Sequence, residues 1–261
     1  MKRNVWYVTI LFVMAVLQVS CIQDNKQVQA KATEKKYDPG IVLTFDDDYI
    51  DDWYNADKLL HPQGWKATFF ICKYVSFTNE QKEKLQYLQS RGHDIAGHGF
   101  NHLNAVKYTA THSVKEYINN EILPLKVAMA KDGFTIKSFA YPDGARNTLL
   151  DTVLFKHFNI VRGTTYGELP VEGQYCYYTG NRLIYGLGID NDYKQFNVDY
   201  YKSLLDYAKN HNKIVIFYGH KTVENADENL ETPMYALEDL CKYAVAKGLK
   251  FYTVDDLRKL Q

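Results

Sequence analysis

Seven short apolar runs, each followed by a polar or amphipathic stretch, constrain the fold of this chain more than any other feature. They are Ile41–Phe45, Ala67–Ile71, Asp94–Ala96, Ser138–Tyr141, Ile160–Arg162, Ile214–Tyr218 and Leu249–Tyr252. Short apolar runs alternating with helical patterns are the signature of βα units. About seven such units with no break in composition predict one parallel α/β barrel. The intervening segments carry helix signals. Thr78 with Gln81 and Ser113 with Glu116 have capping-box spacing. Val198, Tyr201, Leu204, Leu205 and Ala208 share one helical face, as do Leu237, Leu240, Cys241, Ala244 and Val245. Lys247-Gly248 reads as a helix stop before the last strand. Residues Gly163 to Gly188, rich in Gly and Tyr, read as a long loop or hairpin insertion. The chain contains no internal repeat and no low-complexity tract.

Composition narrows the function classes. The 261 residues are 46% hydrophobic with a formal net charge of zero, which argues against disorder and against a polyanion-binding surface. Nucleic acid is therefore not an expected partner. The 22 tyrosines could line a sugar-binding cleft, but amphipathic packing near the surface accounts for most of them. At the N-terminus, Lys2 and Arg3 precede an apolar run from Val5 to Val19 that ends at Ser20-Cys21. The run is too short for a spanning helix and reads as an export signal. A small residue before cysteine resembles a bacterial lipoprotein signal, with Cys21 lipidated and Gln18 as the imperfection. The expected organisation is a leader over 1–20, a polar tether over 21–38 and one domain over 39–261. The protein is then exported and touches membrane only through its lipid anchor. Removing Cys21 leaves Cys72, Cys176 and Cys241, an odd number without metal-ligand spacing. Cys72 and Cys241 are expected as packed core thiols.

Chemistry concentrates at the ends of the apolar runs. Val42-Leu43-Thr44-Phe45 stops at Asp46-Asp47-Asp48, three adjacent carboxylates that repel unless a positive charge sits among them. Asp48, Asp51 and Asp52 also suit the N-terminus of a helix, a role that fits Asp46 and Asp47 poorly. His98 and His102 lie four residues apart in a glycine-flanked segment. One carboxylate and two imidazoles leave a coordination position open, as catalytic zinc sites do. Pro142-Asp143-Gly144 and His220 follow two further runs. In a barrel all four strand ends converge on the face where barrel enzymes keep their active sites. His61, His93, His112, His157 and His211 have no such context.

These motifs resemble those of the NodB-like polysaccharide deacetylases, carbohydrate esterase family 4, over roughly Asp38 to Leu260. Thr44-Phe45-Asp46-Asp47 matches the first motif, with Asp48 replacing its glycine. Gly92-His93-Asp94-Ile95-Ala96-Gly97-His98 with His102 matches the second. Ile214-Val215-Ile216-Phe217-Tyr218-Gly219-His220 matches the last, and Gly248 to Leu257 is similar to the closing segment. The resemblance implies a distorted (β/α)7-type barrel as a single domain. It implies that Asp47, His98 and His102 hold a divalent metal, most readily Zn²⁺, with Asp46 as general base and His220 as general acid. The backbone N–H of Asp143 is then the oxyanion donor, with Tyr141 beside it at the substrate wall. The implied substrate is an N- or O-acetylated glycan.

Two departures qualify that picture. The third family motif carries an arginine that orients the catalytic aspartate, and Ala140 stands in its place in Ala140-Tyr141-Pro142-Asp143-Gly144. Arg146 and Arg162 are the candidate replacements. The fourth motif, usually Asp-Trp, survives only as Asp190-Asn191-Asp192-Tyr193. Its aspartate is expected to pair with the missing arginine, so both losses would go together. The rival expectation is a catalytically weakened glycan-binding lipoprotein on the same barrel, supported by Ala140. A small-amide or cyclic-imide hydrolase fits the export signal less well.

Overall fold

A computed structural model describes residues 37–261. The leader, Cys21 and the tether up to residue 36 lie outside the described residues. Seven parallel strands run in chain order: β1 Gly40–Asp47, β2 Ala67–Ile71, β3 Asp94–Gly97, β4 Ser138–Ala140, β5 Ile160–Thr165, β6 Leu183–Gly188 and β7 Ile214–Gly219. Each pairs with the next, and β7 pairs back onto β1, which closes the barrel. Above it, β8 Lys221–Val223 and β9 Glu231–Pro233 form a separate parallel pair. The last strand, β10 Lys250–Tyr252, pairs with Gly40–Val42, whereas β2 takes Leu43–Asp47. β1 thus exchanges one neighbour for another halfway along its length. Among the described residues no helix is long and apolar enough to cross a membrane.

Strand periodicity sorts the side chains into two shells. Val42, Phe70, Ala96, Ala140, Ile160, Ile184, Ile214 and Ile216 pack together inside the barrel. Their odd-numbered neighbours Ile41, Leu43, Phe69, Ile95, Phe139, Val161 and Phe217 join the outer layer under the helices. Each large apolar side chain buried this way contributes about 1.5–3 kcal/mol. Continued upward, the inward parity leads from Val42 to Asp46, from Ala96 to His98, from Ile160 to Arg162 and from Ile216 to Tyr218 and His220. The barrel is therefore apolar below and polar above on one continuous face.

Local signals hold where they are chemical. Both expected capping boxes form, at Thr78–Gln81 and Ser113–Glu116. The helix Met234–Ala246 stops at Lys247, with Gly248 at φ 63°. Cys72, Cys176 and Cys241 are buried free thiols. Three expectations need correction. Gly163 to Gly188 is not one loop: β5 continues to Thr165, and Leu183–Gly188 is the sixth barrel strand. Gly186 breaks the apolar pattern there because a Cβ would lie 3.2 Å from the Tyr218 ring and 3.5 Å from the Arg162 side chain. Leu249–Tyr252 is consequently an addition beside β1, outside the seven. Val245 is exposed, since the buried stripe ends at Ala244.

His93 has a structural role. Its Nδ1 accepts the Ala67 N–H at 3.0 Å, so Nε2 carries the proton and donates to Asp57 at 2.9 Å. Trp65 Nε1 donates to the same Asp57 oxygen at 3.0 Å. All three side chains are buried. Asp57→Ala leaves two orphaned donors and is expected to destabilise the protein by about 3 kcal/mol in urea unfolding.

Candidate metal centre and acid–base pairs

A pocket of about 270 Å³ opens at the C-terminal end of the strands. Asp46, Asp47, His98, His102, Asp143 and His220 all line it. A larger groove, about 730 Å³, lies on the outer wall between Phe155, Tyr175 and Tyr207. Its guanidinium, Arg182, is bonded to the main-chain carbonyls of Phe155, Phe158 and Asn159. The chemistry is in the smaller pocket.

Asp47, His98 and His102 offer one ligand atom each, all within 4.8 Å of one another. Asp47 Oδ1 lies 3.5 Å from His98 Nε2 and 3.2 Å from His102 Nε2. A tetrahedral ion with ligands about 2.05 Å away separates them by about 3.4 Å, so this donor set fits a metal. His98 Nδ1 sits 2.9 Å from the Ala140 carbonyl, which fixes the proton there and turns Nε2 toward the cluster. Burial holds the His98 pKa below its ordinary value, outweighing the nearby aspartates, and keeps the ring neutral as a ligand must be. At Asp47 burial works upward, but the hydrogen bond from His102 and the surrounding histidines hold its pKa well below the usual carboxylate range. Asp47 and His102 also have left-handed backbone, at φ 88° and 61°, and Asp143 has φ 58°. Such conformations cost non-glycine residues about 1–3 kcal/mol each and persist where the surroundings enforce them.

Asp46 faces a different environment. Its Oδ2 accepts a short hydrogen bond from Arg162 Nη2, and both side chains are buried inside the barrel. The rings of Phe70 and Tyr218 flank the guanidinium with centroids at 5.3 and 4.9 Å. Arg162 is the register partner of Ala140 across β4 and β5. The arginine missing from β4 is thus replaced in space from the neighbouring strand, and the small Ala140 leaves room for it. Arg146 serves elsewhere, bonded to Asp151 and Tyr185. Asp46 Oδ1 has no hydrogen-bond partner among the described residues.

His220 has its own carboxylate. Asp190 Oδ2 lies 2.6 Å from His220 Nδ1, and Oδ1 accepts the His220 backbone N–H at 3.1 Å. The Thr232 hydroxyl donates to Oδ1 as well. Gly219 permits this clamp, because a Cβ there would lie 2.2 Å from Thr232 Oγ1 and 3.0 Å from Asp190 Oδ1. The expected joint loss of the fourth-motif aspartate and the arginine is therefore not what the structure has: Asp190 is present and pairs with His220. Burial lowers the His220 pKa, but the Asp190 hydrogen bond and charge outweigh it, and the net direction is upward. Tyr193 takes the aromatic place beside Asp190, its ring against Gly188.

Of the residues assigned to the substrate wall, Asp143 lines the pocket, with its carboxylate held by Asn104 Nδ2 at 2.8 Å. The Tyr141 side chain does not reach it. That ring is fully buried, and its hydroxyl donates to Asp151 at 3.0 Å. Odd-numbered Tyr141 faces the outer layer, away from the lumen. Thr164, Tyr166, Tyr218 and Leu230 line the pocket without having been singled out. Even parity from the barrel interior would have found Thr164 and Tyr218.

Residues 33–157 match the sequence profile of the polysaccharide deacetylases. Over that stretch, just under half of the chain, the sequence is similar to the polysaccharide deacetylases. Solved structures agree on the fold. The carbohydrate esterase family 4 domain of a xylanase from the hindgut metagenome of Trinervitermes trinervoides is 18% identical, covers 85% of this chain and 90% of its own, and superposes with a TM-score of 0.55. The peptidoglycan deacetylase PdaC of Bacillus subtilis is 16% identical over 85% of this chain and 91% of its own, at 0.52. A family 4 esterase of Streptococcus mutans is 16% identical over 84% and 87%, at 0.57. No curated protein sequence matches the chain. The chain shares this barrel and pairs Asp46 with an arginine carried on β5.

One consequence is measurable in solution. Because Asp190 holds His220 protonated above its ordinary range, Asp190→Asn is expected to lower the His220 pKa in an NMR titration of the ring protons.

Proposed function

We propose that this protein is a metal-dependent hydrolase that removes acetyl groups from N- or O-acetylated sugars of a glycan. The observation that carries the reading is one pocket holding a three-ligand cluster and two acid–base groups with separate charge partners. Asp46 is paired with a cation and His220 with an anion. Opposite charges standing behind the two groups suit them to opposite roles in a proton transfer. Support for the substrate class comes from the polysaccharide deacetylase profile matched over residues 33–157 and from structural neighbours named as a peptidoglycan deacetylase and a domain of a multidomain xylanase.

Asp47, His98 and His102 are the residues that would hold the ion, and two imidazoles with one carboxylate favour zinc. Once bound, the ion would lower the pKa of a water molecule and polarise the acetyl carbonyl. Asp46 takes a proton from the attacking water, and the hydrogen bond from Arg162 orients that carboxylate. Asp143 lines the pocket, and its N–H would donate to the tetrahedral oxyanion. His220, protonated through Asp190, donates to the departing amine or alkoxide. Tyr166, half exposed at the rim with its hydroxyl accepting from Thr164, offers a ring face for a sugar. The export signal and lipidated Cys21 would place this activity outside the cytoplasm, tethered to a membrane. The rival binding-protein reading rested on Ala140, and the Asp46–Arg162 pair removes that support.

Purified protein supplied with zinc is expected to release acetate from a panel of acetylated oligosaccharides followed by mass spectrometry. Dipicolinate should abolish the release and added zinc restore it. Metal-loaded protein that frees no acetate from N- or O-acetylated substrates would refute the proposal. The relocated arginine gives a second test. Arg162→Ala should lower kcat by about 100-fold, and Ala140→Arg combined with Arg162→Ala should recover part of that loss. The pH profile gives a third. A protonated His220 is required, so activity falls as pH rises through its raised pKa, and Asp190→Asn should bring that decline to lower pH.

A further inference from the structure

We infer that Glu121 is a positioning residue for the metal centre, acting through the loop that carries His102; the inference rests on the metal-dependent reading above. Glu121 is fully buried, within the π-helical turn Ile118–Ile122. Its carboxylate accepts the Asn101 N–H at 3.0 and 3.1 Å, Asn101 Nδ2 at 2.7 Å and the Leu103 N–H at 3.1 Å. Its own carbonyl accepts the Phe100 N–H at 3.1 Å. Every residue from Phe100 to Leu103 except His102 is thus bonded to this one side chain or its main chain. His102, left out of the grip, is the residue that faces Asp47.

The surroundings are built for the contact. Gly99 sits at φ 94°, and a Cβ there would lie 2.7 Å from Glu121 Oε2. The loop's first residue must therefore be glycine for the carboxylate to reach its donors. Pro124 supplies no amide to the Asn120 carbonyl, which instead lies 3.5 Å from Asn101 Nδ2. A π-turn is a common device for aiming a side chain at a functional site. All donors to the carboxylate are N–H groups of the loop itself, so the contact fixes the loop's backbone. Glu121 thereby holds His102 in its left-handed backbone against the strain noted above, with Nε2 directed at Asp47.

Outer groups that orient metal ligands alter metal affinity by about 10- to 100-fold when replaced. The test measures Co²⁺ affinity by competition with a chromophoric chelator, together with the visible absorption of the bound ion. Glu121→Gln keeps the size but presents an N–H to an N–H, so a 10- to 100-fold weaker affinity and an altered spectrum are expected. Asp57→Asn, in the distant His93 network, controls for lost stability and should leave both readouts unchanged. Unaltered affinity and spectrum in Glu121→Gln would overturn the inference, as would an equal loss in Asp57→Asn. Should Glu121→Gln fail to fold, Asn101→Ala removes a single donor and should weaken binding about 3- to 10-fold; unchanged binding there would overturn it too. A wild-type protein that takes up no Co²⁺ would instead refute the metal-dependent reading beneath it.

Discussion

An ion pair buried in the lumen of the barrel is the interaction on which the site depends. Taking a carboxylate and a guanidinium out of water costs several kcal/mol per ion, and only close pairing offsets it. Asp46 and Arg162 meet this condition through their short hydrogen bond and the two rings that sandwich the guanidinium. The pair also separates the pocket from the apolar interior. Below it lie Val42, Phe70, Ala96 and Ile216; above it lie the ligand cluster and His220. Arg162 therefore acts as the floor of the site as well as the partner of its base.

That floor explains several small residues around it. Ala140 pairs with Arg162 from β4, and a Cβ at Gly186 on β6 would press on the Tyr218 ring and touch the Arg162 side chain. The substitution of alanine for the family's arginine and the glycine in β6 are then parts of one arrangement. A cation projects into the lumen from β5, and the strands on either side give way to it. What matters to the carboxylate is the place of the guanidinium, and adjacent strands of a barrel can deliver it to nearly the same point.

The residues proposed as metal ligands, base and acid were legible from sequence because each ends a strand or lies just beyond it, in a motif with fixed internal spacing. Asp46, Asp47, His98, His102 and His220 meet in one pocket as expected. The charge partners were less legible. Arg162 and Asp190 pair with residues 116 and 30 positions away, and no local pattern encodes such separations. Arg162 did leave a trace, as a lone cation within an apolar run. β6 was hidden by its two glycines, and with β6 unseen the parity that points Asp190 inward could not be applied. Tyr141 failed for a related reason: proximity in sequence to Asp143 was taken as proximity in space, and one step along a strand reverses the face.

The two carboxylate–partner pairs impose an order on the chemistry that the pocket can support. Asp190 is shut away behind Gly219 and Thr232, touching His220 but not lining the pocket, so it acts only through the imidazole. Asp46 faces the pocket directly and keeps one oxygen unpaired by protein. A carboxylate with a free oxygen and a cation behind it can accept a proton and return it. An imidazole with a carboxylate behind it is stabilised in its protonated state and can give one up to a leaving group. In the proposed reaction a cation stands behind the group that takes the proton and an anion behind the group that gives one.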